Sequence, residues 1–161
     1  SVEWLGGVLF GLALVLGFAA PILDLAGALD PIRAFDGSAG HVAGAVLAVA
    51  GIAATLYAQM AMGASWRIGV DASERTELVT GGPFAVVRNP IFAAMLPTSL
   101  GLVLLVPNAV AVIGFVALVT ALELQTRAVE EPYLLATHGE TYRAYAARVG
   151  RFVPGLGRLR R

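Results

Sequence analysis

The chain has 161 residues, 58% of them hydrophobic and 14% charged, with a formal net charge of zero and a mean hydropathy of +0.78. That length allows one domain, neutrality gives no electrostatic footprint for nucleic acid, and the lack of cysteine excludes disulfides, thiolate metal sites and cysteine nucleophiles. A soluble domain carries about a quarter charged residues, whereas here the apolar residues fall in the long uninterrupted runs that a bilayer demands.

Residues 5–23 are almost wholly apolar and, at roughly 20 residues, long enough to cross a membrane. No basic n-region or clear cleavage site accompanies them, so the run reads as a retained span. Gly7 and Gly11 form a small-xxx-small pair that would admit a neighbouring helix; two glycines facing lipid fit the spacing equally well. A polar loop at 30–40 turns at Pro31, Asp36 and Gly37. The second span, 41–63, carries Tyr57 and Gln59 near its end, where an aromatic suits the interface and an amide most simply bonds another helix. Residues 64–82 are polar. Third and fourth apolar runs, 90–106 and 109–122, are separated by the tight turn Pro107-Asn108, and both are short. Their shortness predicts a helical hairpin, tilted or shallow in the bilayer.

Beyond 122 helical spacing persists to Pro132, a residue able to open a new helix. Residues 139–148 read as an amphipathic helix and 152–161 as a loosely ordered Pro/Gly/Arg tail. The expected fold is therefore an all-α integral membrane protein with four transmembrane helices, the last two a hairpin, plus a cytoplasmic C-terminal amphipathic helix. It forms one membrane domain, 1–63 anchoring and 64–154 carrying the site. Of the eleven basic residues, all arginine, only Arg33 lies in a loop on the far side of such a topology. The positive-inside rule then puts both termini and the site in the cytoplasm, in a plasma membrane of bacterial type.

Two constellations bear chemistry. At Arg88-Asn89-Pro90, proline suits the first helical turn and Asn89 the N-cap; the plain reading is a capped helix with a snorkelling arginine. Exposed N–H groups beside an arginine also make an anion site suited to a carboxylate. In the second, Glu123, Arg127, Glu130 and Glu131 stand at i,i+3 and i,i+4 spacings. A salt-bridge ladder on a solvated face is the simpler reading, yet acids at the end of a span invite a cationic ligand. Tyr142 and Tyr145 read as interfacial anchors. His41 and His138 are too isolated for a metal site, and no phosphate loop or GxGxxG is present.

In order and spacing, Gly82-Pro83-Phe84, Arg88-Asn89-Pro90-Ile91-Phe92, Pro107-Asn108, Glu130-Glu131 and Gly139-Glu140-Thr141-Tyr142-Arg143-Ala144-Tyr145 resemble the isoprenylcysteine carboxyl methyltransferase family and the wider group of membrane methyltransferases that includes phospholipid methyltransferases. The likeness covers residues 80–154, about half the chain. Three residues depart from the family pattern: Asn89 replaces histidine, Phe92 tyrosine and Ala94 a small glycine. Asn89 cannot titrate, so it is no general base. The resemblance implies S-adenosylmethionine (SAM) as methyl donor. It implies cofactor contacts at Phe84, Arg88, Asn89, Pro90, Phe92, Glu130, Glu131 and Tyr145, and catalytic work at Arg88, Glu131, Arg127 and Arg67. A carboxylate acceptor is ionised at neutral pH and needs only a cation, Arg67 or Arg127, to orient it. An amine or thiol needs a base, for which Glu131 is the candidate. The partners expected are a lipophilic or lipid substrate, the bilayer itself and a second copy in a homo-oligomer, with no nucleic acid and no metal. Carboxyl methylation of an isoprenylcysteine-like acceptor leads; methylation of a phospholipid amine or small thiol, or a silent membrane adaptor, are the alternatives.

Overall fold

A computed structural model describes residues 1–63 and 77–160. Among these every extended element is helical: α1 (Val2–Leu25), α2 (Ser38–Met62), a 3-10 turn (Gly82–Ala85), α3 (Pro90–Leu105), α4 (Ala109–Gln125), a π-helical turn (Thr126–Glu130) and α5 (Glu131–Ala146). With 24 and 25 residues, α1 and α2 reach about 36 Å, enough for a hydrocarbon core of about 30 Å. The helical path from Ala109 through α4 is also long and apolar enough to span, whereas α3 has 16 residues and is shorter. The apolar part of the path through α4 ends at Leu122, before Glu123, Arg127, Glu130 and Glu131. The described residues are thus all-helical, with three to four helices long and apolar enough to span a membrane, as an all-α membrane protein requires. The chain divides into two compact units, Ser1–Ile52 with Leu96–Gln125, and Ala53–Met95 with Thr126–Arg161.

In the first unit α1 packs along α4. The buried stripe of α1 is Gly6, Ala13 and Ala20, one small residue every seven. It meets Ala111, Gly114, Ala117, Leu118, Ala121 and Leu122, the buried face of α4. Small residues are what membrane interfaces use, because lipid supplies no hydrophobic drive and association rests on close van der Waals approach. A Cβ on Gly114 would stand 3.2 Å from the Leu16 Cβ. Helices α2 and α3 come closer still: a Cβ on Gly101 would lie 2.5 Å from the Gly44 carbonyl oxygen. The Gly7–Gly11 pair takes no part, since a Cβ on either would meet nothing within 4 Å. Where a helix is apolar all round, spacing does not reveal which glycines face protein. The outward faces carry Val15, Phe18, Ile22, Val46 and Val49, all exposed and suited to lipid.

The expected turn at Pro107-Asn108 is present and well tied. Asn108, wholly buried, accepts from the Ala111 N–H at 2.9 Å and donates to the Ala20 carbonyl at 3.1 Å. It thus caps α4 and fastens it to α1. The Pro107 carbonyl accepts from Ile32 N–H at 2.6 Å.

The second unit has a core of Phe84, Tyr142, Tyr145 and Ala146, bordered by Met62, Leu78, Val79, Leu134, Leu135, Val149 and Leu159. The new helix foreseen at Pro132 exists, and Gly139, at φ +53°, breaks it into two directions. A positive φ is cheap only for glycine. Beyond the break Tyr142 and Tyr145 turn inward, 1% and 3% exposed, so they are core residues and not interfacial anchors. The tail is also better ordered than its composition suggests. Arg151 N–H donates to the Leu156 carbonyl at 2.7 Å, and Leu159 N–H to that of Ala146 at 3.0 Å.

Candidate functional site

Residues 87–89 run alongside 150–151. Val87 and Gly150 form a parallel bridge, Arg88 N–H donates to the Gly150 carbonyl at 2.8 Å, and Asn89 N–H to that of Arg151 at 3.1 Å. Gly150 is required here, since a Cβ would sit 2.2 Å from the Val153 carbonyl oxygen. Asn89 holds the N-cap position expected of it: its carbonyl accepts from Ala93 N–H at 2.8 Å, and Pro90 opens α3. Its side-chain amide donates to the Arg151 carbonyl at 3.2 Å.

This backbone pairing drives Arg88 inward, to 5% exposure. One guanidinium nitrogen donates to the carbonyls of Ala146 and Val149. The other donates to Glu131 Oε1 at 2.6 Å and to the Gly157 carbonyl at 3.1 Å. Glu131 is bound twice over, because Arg151 Nε reaches Oε1 at 2.7 Å and a terminal nitrogen of Arg151 reaches Oε2 at 3.1 Å. The three side chains form a buried Arg88–Glu131–Arg151 triad. Burial raises the Glu131 pKa, but the hydrogen bonds and charges of Arg151 and Arg88 outweigh it and hold the carboxyl below its usual range. At neutral pH Glu131 is an ionised, fully engaged acceptor.

Glu131 therefore pairs with Arg88 and Arg151, where the sequence spacing pairs it with Arg127. The π-helical turn accounts for the change: i→i+5 bonding across Thr126–Glu130 inserts an extra residue and rotates everything after it. Arg127 is exposed on this turn and Glu130 half-buried. Phe84 is buried, and its carbonyl accepts from the Tyr145 hydroxyl at 2.6 Å. Burial pushes both Tyr142 and Tyr145 up, so each is a neutral phenol; their rings meet edge to face at 6.0 Å. Pro90 is buried and Phe92 half-buried in α3. Arg67 lies outside the described residues.

Sequence reasoning missed Arg151, Gly157 and Thr126. Arg151 stands 20 residues from its carboxylate, across a helix, just before the segment that composition marks as tail. Thr126 is wholly buried at the start of the π-helical turn, and its hydroxyl has no hydrogen-bond partner among the described residues. π-turns concentrate at functional sites, and a buried hydroxyl without a partner calls for a ligand or water.

The family model for phospholipid methyltransferase matches residues 39–141, from the start of α2 into α5. The chain belongs to the phospholipid methyltransferase family. No curated protein matches it. Membership supports methyl transfer in the membrane as the activity, and the matched stretch contains Phe84, Arg88, Asn89, Thr126 and the Glu130-Glu131 pair.

Proposed function

We propose that this chain transfers a methyl group from SAM to a carboxylate-bearing lipophilic acceptor of the isoprenylcysteine type. SAM supplies an activated methyl on a sulfonium. Within the second unit the candidates to hold it are judged by chemistry and position. Arg88 is committed to four protein acceptors and Glu131 to two arginines, which makes both scaffold and not ligand. Thr126, with its unsatisfied buried hydroxyl, and Glu130, one residue before the triad, are the groups that fit the cofactor's ribose hydroxyls and amine. Phe84, Tyr145, Asn89 and Pro90 shape the site from behind through the core and the start of α3.

One observation carries the choice of acceptor. The carboxylate expected to act as base is ion-paired to two arginines and held ionised. Taking a proton would cost it both partners. A carboxylate acceptor needs no such base, and in-line methyl transfer then requires positioning above all. Arg127, exposed on the π-turn, is suited to orient it. The family description favours a second reading, a phospholipid amine as acceptor.

Purified protein given methyl-labelled SAM and a lipid extract distinguishes them. A base-labile label released as methanol marks a methyl ester, and a base-stable label on a phospholipid head group marks N-methylation. SAM binding measured by calorimetry weakens in Thr126→Ala and Glu130→Gln. Unchanged affinity in both would remove the cofactor site proposed, and binding without turnover on any extract would leave a silent adaptor.

A further inference from the structure

The tail beyond Arg151 is a built loop whose most exposed side chains are aliphatic and cationic. Residues 153–156 read Val-Pro-Gly-Leu. Leu156 N–H donates to the Val153 carbonyl at 3.0 Å and Gly155 has φ +78°, the sequence and conformation of a β-turn with proline at its second position and glycine at its third. The turn is closed down over Gly150, where no Cβ has room. Its two corner residues, Val153 and Leu156, point outward, 49% and 65% exposed. Val86, next to the Val87–Gly150 bridge, is also exposed. The chain then alternates: Arg158 out, Leu159 into the core, Arg160 out. Arg148 is exposed on the approach. After Glu140 the sequence contains arginines and no acidic residue at all.

A turn that holds two aliphatic side chains outward, in a stretch whose charged residues are all arginine, gains nothing from that exposure in water. We propose that it is an interfacial anchor. Val153 and Leu156, with Val86, enter the boundary between head groups and acyl chains, and Arg148, Arg158 and Arg160 bind the phosphates of anionic lipids. Charge complementarity selects this partner: amphipathic segments rich in arginine bind the interface by combining apolar burial with attraction to anionic lipid. Continuity of the chain supports it too, because the same unit contains the ends of α2 and α3, residues 53–62 and 90–95. The inference stands apart from the choice of methyl acceptor.

The absence of cysteine makes the test direct. Leu156→Cys, and Glu140→Cys as an exposed control in the same unit, are labelled with an environment-sensitive fluorophore in the full chain. The labelled proteins are reconstituted in nanodiscs of phosphatidylcholine, alone or mixed with phosphatidylglycerol, containing a shallow nitroxide lipid. The Leu156 label is expected to be quenched far more than the Glu140 label in the anionic discs. Arg158→Gln and Arg160→Gln should each lower the bound-to-free ratio of the loop about fivefold, and 1 M salt, with a screening length of about 3 Å, should do likewise. Val153→Cys provides a second label if Leu156→Cys does not fold. Quenching at 156 and 153 no greater than at 140 would overturn the anchor. Equal quenching in both lipid mixtures, untouched by the arginine substitutions, would overturn the anionic recognition. Protection that follows protein-to-lipid ratio would identify a second copy of the chain as the occupant and sink the proposal.

Discussion

In the first unit the closest approaches are made by glycines: Gly101 against the Gly44 backbone, with no room for another carbon, and Gly114 against the Leu16 side chain, where another carbon would be tight. In the second they are between a guanidinium and a carboxylate, and between guanidinium and main-chain carbonyls. The difference follows the solvent. Lipid is as apolar as leucine, so helices gain from contact only when they come very close. Past Leu122 charged side chains return, and the second unit is fastened by directional polar bonds around a small aromatic core. Substitutions should therefore act by steric displacement in one unit and by stranded charge in the other.

The largest expected effect is Glu131→Ala. It leaves Arg88 and Arg151 without their shared anion, and stranding a buried charge costs on the order of 3–5 kcal/mol. Thermal unfolding in micelles and proteolysis within 126–160 should both reveal it. Acid should weaken the same unit. The folded pKa of Glu131 is depressed, so its contribution is fully present above the ordinary carboxylate pKa and fades as pH falls through the folded value. Glu131→Gln should abolish that acid step while lowering stability at neutral pH. Next comes Gly101→Val, which forces α2 from α3 and should cost about 1–3 kcal/mol by overpacking, with a loss of heat resistance that high salt leaves unchanged. Asn108→Ala removes the cap of α4 and its link to Ala20, for about 1–2 kcal/mol by denaturant titration. The smallest is Gly11→Ala, within about 0.5 kcal/mol because its surroundings are open. A large effect there would mean that the α1 face bearing Gly7 and Gly11 is covered by something else.

The spans were legible because bilayer thickness imposes a length on apolar runs, and the ends of all four helices fall within a few residues of those runs. The turn at Asn108 and the helix opening at Pro132 were legible from backbone chemistry. What packs against what was not. An apolar helix has no polar side to name its buried one, so the spacing that drew attention to Gly7 and Gly11 gave no sign of Gly6 or Gly114. The triad was half visible: Arg88 and Glu131 stood out, but the π-turn altered the angle between Arg127 and Glu131, and Arg151 lay at the edge of a stretch whose glycines suggested looseness. Those glycines proved to be structural. Gly150 makes room for the turn above it, and Gly155 and Gly157 take positive φ to close it.

Arg88 has a further consequence, for the order in which the protein is made. All four acceptors of its terminal nitrogens come later in the chain, the last at Gly157, 69 residues downstream. At translation rates of roughly 5–20 residues per second, some 3–14 s separate the guanidinium from its final partner. During that interval the arginine must stay hydrated. The second unit thus assembles after synthesis has passed residue 157, and a ribosome stalled before it holds a chain whose membrane helices are made but whose site has not closed.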